Sequence, residues 1–517
     1  MLQAEVRFED IGAPVGMTGG GIFFGKSWVL PYAHRMLRTS VIDGPDRLVV
    51  GIAERFVDDD EGIDFQLGAD DRQCDVLSRR LARHLLDWSV LTIDKRRRTV
   101  SYRASQWNSA PVWLRDEGAA VRIDWDYARL LDGTAVEIDW PMLLSRIAGT
   151  SPYSPRTMIA GLYRATAKAA LTAHGGGISV RLPRPVSYTG PQELIAGTDP
   201  EAVLVEVLVA LLEARPLTVS RTAVEVSGGM DSALTAMATA RALGPGVMSV
   251  GAQFDGTMGA AQRARRRMLC ECGAFDDLEV PAMRFAPFGP ASHRRRSFGV
   301  WPEDENYPEL FETVFGALAD AGIDTLIAGL GGDELYVAYE GEEEAHTPLS
   351  LAGSHYLTAE GKRVAGTAPP PYPPGRLQES CWKAAAGRAQ RLLRHGLWPV
   401  YPYHSADLAA FVGSLPVGYR RDRRLLRRAL TRVTGDAVFE TDYVKEGFRD
   451  VAVRGIADNR DWLIATAERS GLLQSRLLDG AYIRGQLAAE PAGLADRDFN
   501  YLYFFLTICC FFQPPGD

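Results

Sequence analysis

The stretch that most constrains the fold is the one around Ser227. Ala223, Val224 and Val226 make a short apolar run broken only by Glu225; Ser227, Gly228 and Gly229 then interrupt it, and a helical pattern begins at about Asp231. A strand, a glycine turn and a helix in that order make one βα unit. Two adjacent glycines let the backbone turn tightly and approach a ligand, while the first free N–H groups of the helix and its positive end point at the same spot. A corner of this kind favours an anion, phosphate above all. No GK[ST] follows and no lysine stands at the turn, so it is not a Walker loop. An ordinary strand-to-helix turn capped by serine and aspartate is the plainer alternative.

Downstream the pattern alternates. Strands are predicted at 223–226, 247–252, 277–280 and 325–328, and helices from the turn to about 243, at 258–272 and at 307–321. Such alternation predicts an α/β fold with a doubly wound parallel sheet and ligands beyond the carboxyl ends of its strands. The last of these strands runs into a second glycine loop, LIAGLGGDELY, Leu326 to Tyr336. There Gly329, Gly331 and Gly332 permit close approach, and Asp333 and Glu334 supply hard oxygen donors of the kind Mg²⁺ takes beside phosphates. The same residues also describe an acidic helix start that needs no ligand.

Upstream, residues 197–215 predict a helix, with Asp199 and Pro200 as its start signal and one apolar face, and a domain boundary falls near 195. Residues 1–195 read as glycine-punctuated strands of an antiparallel α+β domain, with a hairpin turning at Asp116, Glu117 and Gly118. A net charge of −8 argues against a dedicated nucleic-acid binder. Six cysteines in 517 residues are no disulfide framework, and the Cys270/Cys272 pair lacks a second ligand pair for zinc. They read as reduced cytoplasmic thiols, and MLQAEVRFED carries no export signal. The apolar run Phe499 to Phe512 is shorter than the ~20 residues of a bilayer crossing and reads as a buried helix, so no membrane association is expected.

Three motifs together carry a resemblance. SGGMDS (Ser227 to Ser232), GLGGDELY (Gly329 to Tyr336) and YVKEGF (Tyr443 to Phe448) stand in the order seen in the asparagine synthetase superfamily, which includes β-lactam synthetases and lasso-peptide macrolactam synthetases. The chain resembles that superfamily over roughly 200–510 and, weakly, its glutaminase domain over 1–195. The resemblance implies a degenerate glutaminase-like domain at 1–195 and, at 196–517, an adenylating domain of the ATP pyrophosphatase (adenine nucleotide alpha hydrolase-like) type. It implies that Ser227, Gly228, Gly229 and Ser232 bind the pyrophosphate of ATP, with Gly331 and Gly332 in the second phosphate-side loop. It further implies that Asp231 and Asp333 hold Mg²⁺, that the backbone at Val250 and Gly329 contacts the adenosine, and that Lys445 neutralises charge as the adenylate forms and breaks down.

Three departures narrow the expectation. Leu2 stands where glutamine-using members carry the nucleophilic cysteine, so no glutaminase activity is expected. Leu330 replaces the glutamate of asparagine synthetases and the tyrosine of β-lactam synthetases, and it can neither take a proton nor position an amine. FDGTMGAAQRARRR, from Phe254, lacks the Asp-Glu pair common after the second strand of asparagine synthetases. The expected activity is therefore ATP-dependent amide formation through an acyl-adenylate. The nearest likeness is ring closure of a lasso-peptide precursor between its N-terminal amine and an Asp or Glu side chain, with a leader peptidase and a leader-recognition protein as partners. A β-lactam or other secondary-metabolite amide synthetase is the alternative. A nucleotide-binding protein that has lost catalysis and a sulfur-transferring or tRNA-modifying pyrophosphatase are readings from other classes. The arginine-rich tract 420–432 reads as a solvated amphipathic helix, HRRR at 293–296 as loop surface, APPPYPP at 368–374 as a stiff loop, EGEEEAH at 340–346 as an acidic linker, and His174 as a turn residue.

Overall fold

The structure is a computed structural model and describes all residues except 187–189, 337–350, 441–446 and 515–517. Its fold is mixed α/β, with two mainly antiparallel seven-stranded sheets built from residues 2–181 and one parallel five-stranded sheet built from residues 222–400.

The first two sheets form because their strands alternate. Leu2–Arg7 and Thr99–Ala104 bury every second side chain, the signature of a sheet with one face in a core. Val6, Val29, Val50, Leu91, Val100 and Ile123 meet between the sheets. Outside the second sheet, the helix Asp71–Ala82, started by an Asp70/Gln73 capping box, packs Leu77 and Leu81 on Val49, Trp88 and Val90. Outside the first, Trp113 and Tyr127 share a cluster with Trp301 and Phe511. The expected hairpin is present as Trp113–Asp116 paired with Ala120–Asp124, and His174 serves its turn by accepting the Gly176 N–H at 3.1 Å. Two details differ from the reading of the sequence. The segment from Gly21 is two strands, 21–24 and 27–31, joined by a tight turn in which Gly25 has φ +58°. The edge strand Gly62–Leu67 runs parallel to Leu37–Asp43.

In the third sheet the strands are β1 (Thr222–Glu225), β2 (Met248–Gln253), β3 (Asp276–Pro281), β4 (Thr325–Ile327) and β5 (Trp398–Val400), all parallel, in the order β3-β2-β1-β4-β5. Helices cover both faces. Val224 and Ile327 face the helices Pro200–Glu213 and Met230–Leu243, while Ala223, Val250 and Leu326 face Pro308–Asp320. Strand order reverses between β1 and β4, the position at which an open α/β sheet has its ligand crevice, outside the carboxyl ends. The two glycine loops leave the sheet at that point, one after β1 and one after β4.

Buried polar bonds tie the halves together. Arg215, 1 % exposed, pairs with Glu54 at 2.8 Å, and Glu54 also accepts the Trp398 indole N–H at 2.7 Å. Arg35 grips Asp324 through both Nε and Nη2. The run 293–296 departs from the surface reading: Arg294 is buried and donates to the Asn306 carbonyl. Phe499 to Phe512 is helical from Asp496 to Phe511 and buried, as expected, and no described helix is long and apolar enough to cross a membrane. The acidic segment 340–346 lies outside the described residues.

Candidate functional site at the sheet crevice

The first loop is closed by its own hydroxyls. Ser227 Oγ accepts the Gly229 N–H at 3.1 Å and lies 2.8 Å from Ser232 Oγ, which accepts the Ser227 N–H and donates to the Gly229 carbonyl, both at 3.1 Å. Gly228 carries the turn at φ +87°, a conformation that suits glycine. Ser232 is buried, so its hydroxyl shapes the loop from inside. The helix Met230–Leu243 starts from Gly229 with no side-chain cap, which leaves its first N–H groups directed at the crevice.

Two residues that sequence reasoning did not single out hold this loop from behind. Gln262 donates to the Ser227 carbonyl at 2.7 Å and the Ala252 carbonyl at 2.8 Å while accepting the Phe254 N–H, and Arg265 Nε donates to the Gly228 carbonyl at 2.9 Å. Their spacing of three puts both on one face of the helix Gly256–Gly273; polar residues on a buried helical face were the available signal.

The second loop lies against the first. A Cβ added to Gly329 would stand 2.6 Å from the Ser232 amide nitrogen and 2.7 Å from the Asp231 carbonyl carbon, and one on Gly332 would stand 2.4 Å from Asp231 Oδ1. Gly331, at φ +96°, is backed by His404, whose Cδ2 would be 3.0 Å from an added Cβ. His404 is fully buried, and burial pushes its imidazole down to about 4, so it is a neutral wedge. Leu330 packs beside Ala328, Ala385 and Tyr401, an apolar seat with no acid–base role. At the end of β1, Arg388, with its side chain 11 % exposed, bridges Glu225 and Glu305, each at 2.7 Å, and these carboxylates hold its guanidinium firmly charged against the cost of desolvation.

Asp231 and Asp333 converge on one guanidinium. Arg423 Nη1 lies 3.3 Å from Asp231 Oδ2 and also bonds Asp333 Oδ1. Asp422 and Arg423 both sit in the left-handed region at φ +53°, which costs about 1 kcal/mol per residue. This corrects the view of the tract as a solvated helix. The helix Arg424–Thr434 does bury Leu425, Leu426, Ala429 and Leu430, but Arg423 precedes it and reaches into the crevice, and Arg420 is buried with its Nε on the Leu415 carbonyl. Cations at a helix start oppose its dipole, and that mismatch was the signal in the sequence. The phenols of Tyr336 and Tyr403 are raised by burial and by the Asp231 charge, so both stay protonated; Tyr403 donates to the Asp231 carbonyl at 3.2 Å.

The remaining predicted residues divide. At Val250 the side chain is in the core under the helix Pro308–Asp320, while its backbone lies level with Glu225, the last residue of β1, and its carbonyl accepts the Val226 N–H. β2 continues beyond that point through Ala252 to Gln253. Lys445 lies outside the described residues. The chain resumes at Gly447, and Phe448 packs edge-on against Phe254, just beyond the carboxyl end of β2, with ring centroids 4.7 Å apart, and stacks on Tyr307. In the other half, Leu2 is fully buried and the Met1 amine, 3.0 Å from the Tyr102 hydroxyl, is pushed down to about 5 by burial. Cys74 is buried in the helix Asp71–Ala82, beyond the second sheet.

The donor set suits a divalent cation held together with phosphate. No group of three or more His, Cys, Asp or Glu side chains with metal-binding geometry occurs among the described residues. Two carboxylates are nonetheless the usual protein share for Mg²⁺, which takes its other ligands from phosphates and water. That both already meet one cationic nitrogen shows that the fold brings them to a common point.

No protein-family model matches the chain, and no curated protein matches it. Among solved structures, one similarity is to a glutamine phosphoribosylpyrophosphate (PRPP) amidotransferase from B. subtilis complexed with ADP and GMP. It is 12 % identical, covers 54 % of this chain and 74 % of that one, and has a TM-score of 0.18. At that score the likeness carries no argument about fold or ligand.

Proposed function

We propose that the chain is an AMP-forming amide synthetase, related in kind to the asparagine synthetase superfamily, with an ATP pyrophosphatase-type domain at 196–517 and a glutaminase-like domain at 1–195 that has lost its nucleophile. The observation that carries this reading is the meeting of Asp231 and Asp333, about 100 residues apart in sequence, on one nitrogen between two glycine loops at the strand reversal.

The Ser227–Gly229 loop and the N–H groups that follow it would hold the β and γ phosphates of ATP, with Asp231 and Asp333 as Mg²⁺ ligands. The metal would screen phosphate charge and polarise the α-phosphoryl group. A substrate carboxylate oxygen bonds to the α-phosphorus as the α–β P–O bond breaks, and pyrophosphate leaves. An amine nitrogen then bonds to the acyl carbon, the acyl–phosphate C–O bond breaks, AMP departs and the amine loses a proton. Arg423 is placed to exchange its carboxylate partners for phosphate oxygens once a cation takes its place, and Lys445, from the segment before Phe448, would meet the same charge. Developing negative charge met by fixed cations is worth on the order of 3 kcal/mol per donor in such sites.

With Leu2 and Leu330 in place of the ammonia-supplying and amine-positioning groups, an organic amine on the same or a second molecule fits best. Macrolactam closure of a peptide precursor is the reading favoured here, with a leader peptidase and a leader-recognition protein as its expected partners. The test is product analysis with ATP, Mg²⁺ and peptides carrying an Asp or Glu side chain and a free N-terminus. AMP and pyrophosphate in equal amounts support the proposal; ADP and phosphate overturn it.

A further inference from the structure

A cavity of about 440 Å³ lies where the second antiparallel sheet meets the segments after the acidic stretch. Its floor is aromatic, built from Trp88, Trp107, Tyr372 and Trp382, and two of these indoles are fixed by carbonyls: Trp107 by Leu85 and Trp382 by Gln106. Pro183, Pro373 and Pro374 stiffen its rims, which are joined by the Val186 N–H donating to the Pro374 carbonyl at 2.8 Å. Leu85, at the rim, is 67 % exposed.

The charges around it are one-sided. Among the described residues, Arg83, Lys168, Arg184 and Arg376 line it against a single carboxylate, Asp407, which is 3.4 Å from Arg376, and this in a chain of net charge −8. The four cations come from four separate segments, which suits several carboxylates at intervals better than one anion. Lys168 holds φ +60°, where glycine would be more comfortable.

Two short chain links join the cavity wall to the glycine loops. Ser405, in its wall, follows His404, the wedge behind Gly331. Leu377, also in the wall, precedes Gln378, whose Nε2 donates to the carbonyl of Glu334 at 3.0 Å, next to Asp333.

We propose that this cavity holds an acidic, extended segment of the peptide substrate, its apolar side chains on the tryptophan floor, while the reacting residue reaches the Asp231–Asp333 corner. This rests on the synthetase reading for the word substrate, but binding is measurable without turnover. The experiment is fluorescence anisotropy of a fluorescein-labelled peptide alternating glutamate with leucine, titrated with the full chain in the absence of ATP, against the same peptide with lysine for glutamate. The glutamate peptide binds and the lysine peptide does not. Lys168→Glu and Arg184→Glu each weaken binding by about threefold to tenfold, and Arg97→Glu, an exposed reversal elsewhere with Arg97 82 % exposed, leaves it unchanged. Lys168→Gly, which relieves the backbone, weakens binding while raising Tm, a combination a merely structural lysine would not give. Equal binding of both peptides, or equal loss from Arg97→Glu, overturns the proposal. Binding as expected without AMP formation leaves the cavity in place and removes the synthetase reading; AMP formation with binding indifferent to these variants removes the cavity proposal alone.

Discussion

Gly329→Ala tests whether the two loops form one site. The new Cβ would lie 2.6 Å from the Ser232 amide nitrogen and 2.7 Å from the Asp231 carbonyl carbon. Both are backbone atoms, so no side chain can swing clear, and the loops must part by roughly 0.8 Å to reach ordinary contact. Overpacking of this size costs about 1–3 kcal/mol, and the displacement falls on the helix turn whose N–H groups are proposed to receive phosphate. Gly485→Ala is the matched control: that glycine is inside the helix Gly480–Ala488, with nothing within 4 Å of the added atom, and the exchange should stabilise by about 0.5–1 kcal/mol. Thermal unfolding and calorimetric titration with Mg·ATP are the assays. Gly329→Ala is expected to lower Tm by several degrees and weaken nucleotide binding at least tenfold, while the control raises Tm and binds normally. Unchanged stability and affinity for Gly329→Ala would falsify the contact.

Arg423→Gln removes the cation between Asp231 and Asp333; without metal it should destabilise by about 1 kcal/mol, and added Mg²⁺ should then raise Tm more than in the unsubstituted chain, as differential melting would record. Glu54→Ala strands the buried Arg215 guanidinium and the Trp398 indole, a loss of about 3–5 kcal/mol readable by urea unfolding; a loss under 1 kcal/mol contradicts it. Burial outweighs the nearby Arg391 and raises the Asp304 carboxyl to about 7. Between the unfolded value of 3.8 and that folded value the native state binds the extra proton, so this group's contribution falls as pH rises from about 4 to 7. Asp304→Asn should therefore gain stability relative to the parent over that window, and a parallel pH profile would refute it.

The glycine loops and most of the parallel sheet were legible because glycine turns and apolar strands are local signals. The helix expected at 307–321 is Pro308–Asp320, and the strand expected at 247–252 is Met248–Gln253. What escaped is set by tertiary context. β5 is three residues long and contains Pro399, tolerable only at a sheet edge, so its pattern alone does not announce a strand. Arg423 looked like surface because its partners, Asp231 and Asp333, are 192 and 90 residues away. How far β2 runs past the end of β1 was not legible either: Val250 pairs with Glu225, where β1 ends, while β2 continues to Gln253, and only the register shows this.

The central claim is that two distant glycine loops grip one magnesium nucleotide. A crystal structure with Mg²⁺ and α,β-methylene-ATP tests it most directly. The account predicts the terminal phosphates on the Ser227–Gly229 loop, one metal ligated by both Asp231 and Asp333, and Arg423 turned from the carboxylates to phosphate. A nucleotide bound elsewhere, or the two aspartates still joined through Arg423 with the nucleotide in place, would contradict it.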